Sequence, residues 1–172
     1  MNPIPDRNRI IKIFKKQPEY TERNQRYLSL LNKKNINNLL EKIDLEWFNK
    51  NTIDKVSYES ATQTHILEIL SFLVKIKGST YFENPQAKRV IKEAFNGILK
   101  HIDKNGKFIW EENFTKYGYE SHEHAWRLLS ILLSFIWISD EIFMPKEKME
   151  IEDALLRAGE WLYKNPLTQT NN

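Results

Sequence analysis

The chain contains no cysteine, which excludes disulfides, thiolate metal sites and cysteine nucleophiles together. Glycine is scarce as well: five in 172 residues, none set in a phosphate-cradling loop or a dinucleotide fingerprint. No nucleophile elbow is present. Long apolar runs are also missing. The longest, Ala125 to Ile138, is fourteen residues and carries Arg127, so it predicts a buried core helix rather than a membrane span. The opening shows no leader pattern, because the apolar cluster Ile10 to Phe14 is crowded by charge and lacks a small-residue cleavage site. A cytoplasmic protein without a membrane partner is the expectation.

What is present has the balance of a globular domain, with 41% hydrophobic, 28% charged and a high 12% aromatic residues, so residues 1–172 are read as a single helical domain. Charge is uneven. Residues 1–34 hold nine Lys or Arg against three acids, a local net of +6 that leaves about −3 for the remainder. An amphipathic basic arm of this kind suits a membrane surface or a nucleic acid. In a chain rich in Lys, Asn and Ile, however, a solvated helix packed on the body is the expected state, and neither partner is predicted.

Almost everything else reads as helix. From Pro85 to Ile102 apolar residues fall at Ala87, Val90, Ile91, Ala94, Phe95, Ile98, Leu99 and Ile102, an unbroken helical stripe. Asn84 suits its N-cap, Pro85 its first turn, and Gly106 follows its end. A second amphipathic helix is predicted after Pro145, with Ile151, Ala154, Leu155, Ala158 and Leu162 as its stripe. By contrast, His65 to Ile76 and Ala125 to Ile138 are apolar nearly all round, interrupted only by Ser71, Ser130 and Ser134, which predicts packing on several sides. Shorter helices are expected at about 8–17, 22–33 and 36–49. The aromatic-rich stretch from Lys104 to Tyr119, with its Asn105-Gly106 turn, predicts a long loop or short hairpin.

An internal repeat organises these helices. Glu46-Trp47-Phe48-Asn49-Lys50-Asn51 resembles Glu160-Trp161-Leu162-Tyr163-Lys164-Asn165, and the His65 helix overlays the His124 helix at an offset of fifty-nine, matching Ser71 with Ser130. An all-round apolar helix alternating with an amphipathic one, at a period of about sixty, predicts α/α-hairpin repeats over residues 36–165. The expected fold is all-α, an arc amounting to half of an α/α toroid.

Two polar constellations break the apolar helices. His65, Glu68 and Phe72 share a face at helical spacing. A histidine beside a carboxylate is held in one tautomer, which suits proton transfer; the competing reading is a core histidine satisfied by its neighbour. The second is Glu120, Ser121, His122, Glu123 and His124. Ser121 suits an N-cap, which would leave the following donors at a helix N-terminus that favours developing negative charge. Glu123 with Arg127 reads as a surface i, i+4 ion pair. No metal site is expected, since His122 and His124 diverge on a helix and Glu120 pairs with His124 only if the helix starts before Ser121. Phe108, Trp110, Glu111, Glu112, Phe114, Tyr117 and Tyr119 either line a sugar site or plug the hairpin ends.

The region from about Ala61 to Phe135 resembles part of the N-acylglucosamine 2-epimerase and cellobiose 2-epimerase superfamily. That family carries a helix reading N-T-x-x-H-x-L-E, matched by Thr62, His65, Leu67 and Glu68, with Ala61 at the Asn position. It follows with a G-H-x-x-E helix start, where Ser121-His122 stands here and Ala125 occupies the Glu position. Gly106 to Phe114 looks like its aromatic and acidic loop. The resemblance implies a metal-independent sugar epimerase or isomerase in which two histidines exchange the proton next to the carbonyl of a reducing sugar, with no cofactor. It maps His122 to one of those two histidines and His65 with Glu68 to the family's substrate-contacting helix; His122, His65 and Glu68 are thus the candidate catalytic residues, with Trp110, Glu111, Trp126 and His124 as candidate sugar contacts. No histidine follows His124, so the second partner of the family's proton relay has no counterpart downstream. Terpenoid cyclases and prenyltransferases have inner helices of similar look, but their D-x-D-D motif is absent. The alternative to an isomerase is a non-catalytic toroid module that binds a glycan or a protein. Either way an exposed inner face predicts a homodimer or a partner chain.

Overall fold

A computed structural model describes residues 38–49, 57–109 and 120–165. The expected helices at 8–17 and 22–33, the basic arm of residues 1–34, and loop residues Trp110 to Tyr119 lie outside the described residues. The elements are α1 (Leu39–Lys42), α2 (Leu45–Asn49), α3 (Ser57–Lys75), α4 (Pro85–Lys100), α5 (Glu120–Ile142) and α6 (Pro145–Lys164). The protein is all-α: among the described residues the only β feature is an isolated antiparallel bridge between Ile102 and Phe108. No helix of the described residues is long and apolar enough to cross a membrane.

Local chemistry accounts for the ends of these elements. Asn84 caps α4, its side chain accepting from the Ala87 N–H at 3.0 Å, with Pro85 in the first turn where its missing N–H costs nothing. At the start of α6 the Glu147 carboxylate accepts from the Met144 N–H at 2.8 Å. The expected helix over 36–49 is broken into α1 and α2 at Ile43 and Asp44. The reason is tertiary. Gln63 of α3 clamps the break, its Oε1 accepting from the Asp44 N–H at 2.9 Å and its Nε2 donating to the Lys42 carbonyl at 3.3 Å. The Tyr81 hydroxyl accepts from the Leu39 N–H at 2.8 Å, satisfying the front of α1.

Helices α3 and α5 form the central pair. Their contacts climb both helices together (Glu68 with Ser130, Phe72 with Trp137, Lys75 with Glu141), so the two run parallel. Helix α4 packs on α3, α6 packs on α5, and α4 also meets α6 and α2. The buried stripes of the outer helices keep one spacing: Ile91, Ala94, Phe95 and Ile98 stand sixty residues before Ile151, Ala154, Leu155 and Ala158, as do the prolines that open the helices, Pro85 and Pro145. Helix α2 seats on α4 where Gly97 has no side chain, since a Cβ there would lie 2.3 Å from the Phe48 carbonyl oxygen. Phe48 is fully buried at that contact, which for a side chain of this size is worth about 1.5–3 kcal/mol.

Of the long loop or short hairpin expected after α4, the described part is a tight turn closed by the Ile102–Phe108 bridge. Asp103 Oδ1 accepts from the N–H groups of Asn105 and Lys107, the Asp103 N–H donates to the Lys107 carbonyl at 2.9 Å, and Gly106 takes φ +90° at the corner. Phe108 is delivered into the core, not into an open loop.

Candidate functional site

Of the polar constellations singled out from the sequence, the described helices bring together that of His65 and Glu68, to which Ser130 is added. Glu68 sits one turn after His65 on α3, and its Oε2 lies 3.3 Å from His65 Nδ1. The Ser130 hydroxyl of α5 donates to the same Oε2 at 2.7 Å. For the imidazole to bond a carboxylate, Nδ1 must carry the hydrogen; Nε2 then keeps its lone pair. The His65 side chain is 64% exposed and that of Glu68 only 19%, so the carboxylate is tucked between the helices while the ring stands in solvent.

The order of the three groups decides the chemistry. In a nucleophilic triad the imidazole lies between hydroxyl and carboxylate and removes the hydroxyl proton. Here the carboxylate lies in the middle, and the serine donates to it. Ser130 is therefore not primed for attack. The arrangement instead orients an accessible imidazole for proton transfer.

Trp126 and Leu129 occupy the adjoining surface of α5. Trp126 lies one turn before Ser130, on the same helical line, and is 59% exposed; Leu129 is 47% exposed. Ile66 and Ile69 of α3 and Leu133 and Ile136 of α5 are half-buried on this side. The face of the α3–α5 pair turned away from α4 and α6 is thus apolar, with His65 set into it.

The remaining residues singled out from the sequence fall elsewhere. His124 does not join this face. It is buried, donates from Nε2 to the Ala158 carbonyl at 3.0 Å, and lies between Phe108 and Trp161, with ring centroids 4.6 and 4.5 Å away. Helix α5 begins at Glu120, so Ser121 lies inside it and is not its N-cap. Residues 120 and 124 do stand one helical turn apart, but the His124 ring is committed to the core. Among the described residues no three His, Asp or Glu side chains are grouped to hold a metal. Arg127, one turn after His124, is buried rather than on the surface, and the side chain of Glu123, its expected partner, lies outside the described residues. Trp110 and Glu111 lie outside the described residues, as do the side chains of Ser121, His122 and Glu123.

Ser130 was visible in the sequence only as a small polar residue in an apolar helix. A signal existed: polar groups on buried faces need partners, and Glu68 and Ser130 are each other's. No family model, curated protein or solved structure matches the chain. The class defined by fold and site is an all-α protein of packed helices with a histidine–carboxylate pair whose imidazole is exposed on its central helices.

Proposed function

We propose that the chain is an arc of an α/α toroid that transfers a proton next to the carbonyl of a reducing sugar, as a 2-epimerase or aldose–ketose isomerase. The observation that carries this reading is the Ser130–Glu68–His65 chain, which presents an oriented imidazole on an open apolar face beside Trp126. An indole face stacks on the C–H side of a sugar ring, and a neutral imidazole nitrogen accepts the acidic proton of the ring-opened form. The electron pair left at that carbon flows into the carbonyl, whose oxygen takes up the charge, to give an enediolate. Return of a proton to the opposite face inverts the centre, and return to the neighbouring carbon moves the carbonyl. Position 122 stands one turn before Trp126 on α5, and we assign His122 as the second proton-transfer group. Trp110 and Glu111 complete the sugar contacts in this reading.

Incubation in heavy water with mannose, glucose and N-acetylglucosamine, followed by NMR, tests the proposal. Deuterium should enter at the carbon next to the carbonyl, and His65→Gln should slow entry by about 10²–10⁴-fold, the usual worth of a general base. No exchange across the panel would overturn it. A second reading, a glycan-binding module without chemistry, is favoured by the exposure of Trp126 and Leu129 on the same face. Saturable sugar binding with no exchange is its signature.

A further inference from the structure

We infer that Ser130 is a positioning residue, the group that fixes Glu68 and through it the tautomer that His65 presents. The inference begins with how the serines of the central pair use their hydroxyls. A serine within a helix ordinarily returns its hydroxyl to the carbonyl four residues earlier. Ser134 does so, donating to the Ser130 carbonyl at 2.8 Å. Ser71, buried on α3, finds no partner at all. Of these three serines, Ser130 is the one that reaches across the helix interface, to a carboxylate 62 residues away, in a bond of 2.7 Å.

That bond has a mechanical consequence. Glu68 has three side-chain torsions, and on an open helix face its carboxylate would sample many rotamers. A short charge-assisted bond from a residue that is itself 9% exposed holds one oxygen in place. The same oxygen faces His65 Nδ1, so the anchored carboxylate selects the Nδ1–H form. Without the anchor, His65 reverts to the preference of a free imidazole side chain, which places the proton on Nε2 and so blocks the outward-facing lone pair. Ser130 thus acts from the neighbouring helix, touching neither substrate nor imidazole. The inference deepens the proposed proton-transfer role and rests on it only for the kinetic arm of the test.

The test reads the ring directly in the full chain. Long-range proton–nitrogen correlation spectra, recorded above the imidazole titration range, report which nitrogen of His65 is protonated; His65→Gln identifies the signals by their loss. The Nδ1–H form should dominate in the wild type, fall to a minority in Ser130→Ala, and return in Ser130→Thr, which keeps the hydroxyl. Glu68→Ala should match Ser130→Ala. In the exchange assay Ser130→Ala should lower kcat about tenfold with KM unchanged, the scale typical of outer-shell partners. A wild type dominated by the Nε2–H form, or a Ser130→Ala ring that keeps the wild-type tautomer, overturns the assignment. A tautomer shift without sugar exchange in the wild type would remove the sugar chemistry and leave the role of Ser130 standing.

Discussion

Gly97 and Gly159 both lie inside helices, α4 and α6, and their surroundings make them opposite cases. A Cβ at Gly97 would meet the Phe48 backbone at 2.3 Å, whereas nothing lies within 4 Å of one at Gly159. Alanine in an open helix interior gains roughly 0.5–1 kcal/mol over glycine, so Gly159→Ala should raise the melting temperature. Gly97→Ala should lower it, because α2 must be pushed off α4 at a cost of about 1–3 kcal/mol. Circular-dichroism melts of the two variants decide the point; two melts moving the same way would contradict the α2–α4 contact.

His101 is the other informative residue at this scale. Burial lowers its pKa from the ordinary 6.5, the hydrogen bond from Nε2 to the Phe48 carbonyl opposes the shift, and the Lys100 charge adds to it. The unfolded chain therefore takes up this proton at a higher pH than the folded one. The associated stability is present above pH 6.5 and is lost as pH falls toward the lowered folded value. Urea midpoints should drop between pH 7 and pH 5.5, roughly the span over which such a shift acts. His101→Gln, which keeps a donor but does not titrate, should flatten that slope.

Between elements, Glu141 ties α3, α4 and α5 at one end of the molecule. It pairs with Lys75 of α3 and, at 2.8 Å, with Lys88 of α4. Burial alone would raise its pKa, but the hydrogen bonds and charges of the two lysines outweigh burial and set it below the ordinary 4.5. Its stabilisation is fully present above pH 4.5 and disappears as pH falls through the lower folded value. Glu141→Gln should lower stability near neutrality and show a shallower loss in the acid range. An unchanged acid limb would mean that the three helices are not coupled through this group.

The helices themselves were readable from the sequence. The stripe from Ala87 to Ile98 and the cap at Asn84 are properties of neighbouring residues, and so they appear where periodicity placed them. The break between α1 and α2 was not readable. It depends on Gln63, which arrives from another helix to satisfy the backbone groups that the break exposes.

At the scale of the molecule, the parallel central pair leaves Trp126 and Leu129 of α5 exposed among the described residues. Trp126 is 59% exposed and contributes little to the core. Trp126→Ala should cost far less stability than the roughly 3–5 kcal/mol typical of truncating a buried aromatic side chain, because most of the indole is already in solvent. On the proposed reading it should weaken sugar binding by about tenfold or more, measured by titration calorimetry, as for truncation of an aromatic anchor at a binding surface. Unaltered affinity would take Trp126 out of the sugar site.

Sequence alone determined that the chain is helical, that two buried helices alternate with two amphipathic ones, and that His65 and Glu68 share a face. Each of these follows from spacings within one or two turns, where backbone geometry leaves little choice. Only the tertiary structure decided that Glu68 meets Ser130, that His124 and Arg127 turn inward, and that Trp126 turns out. Those outcomes depend on the register and rotation at which α3 and α5 pack, which side-chain ridges across the whole interface set together and no local spacing encodes.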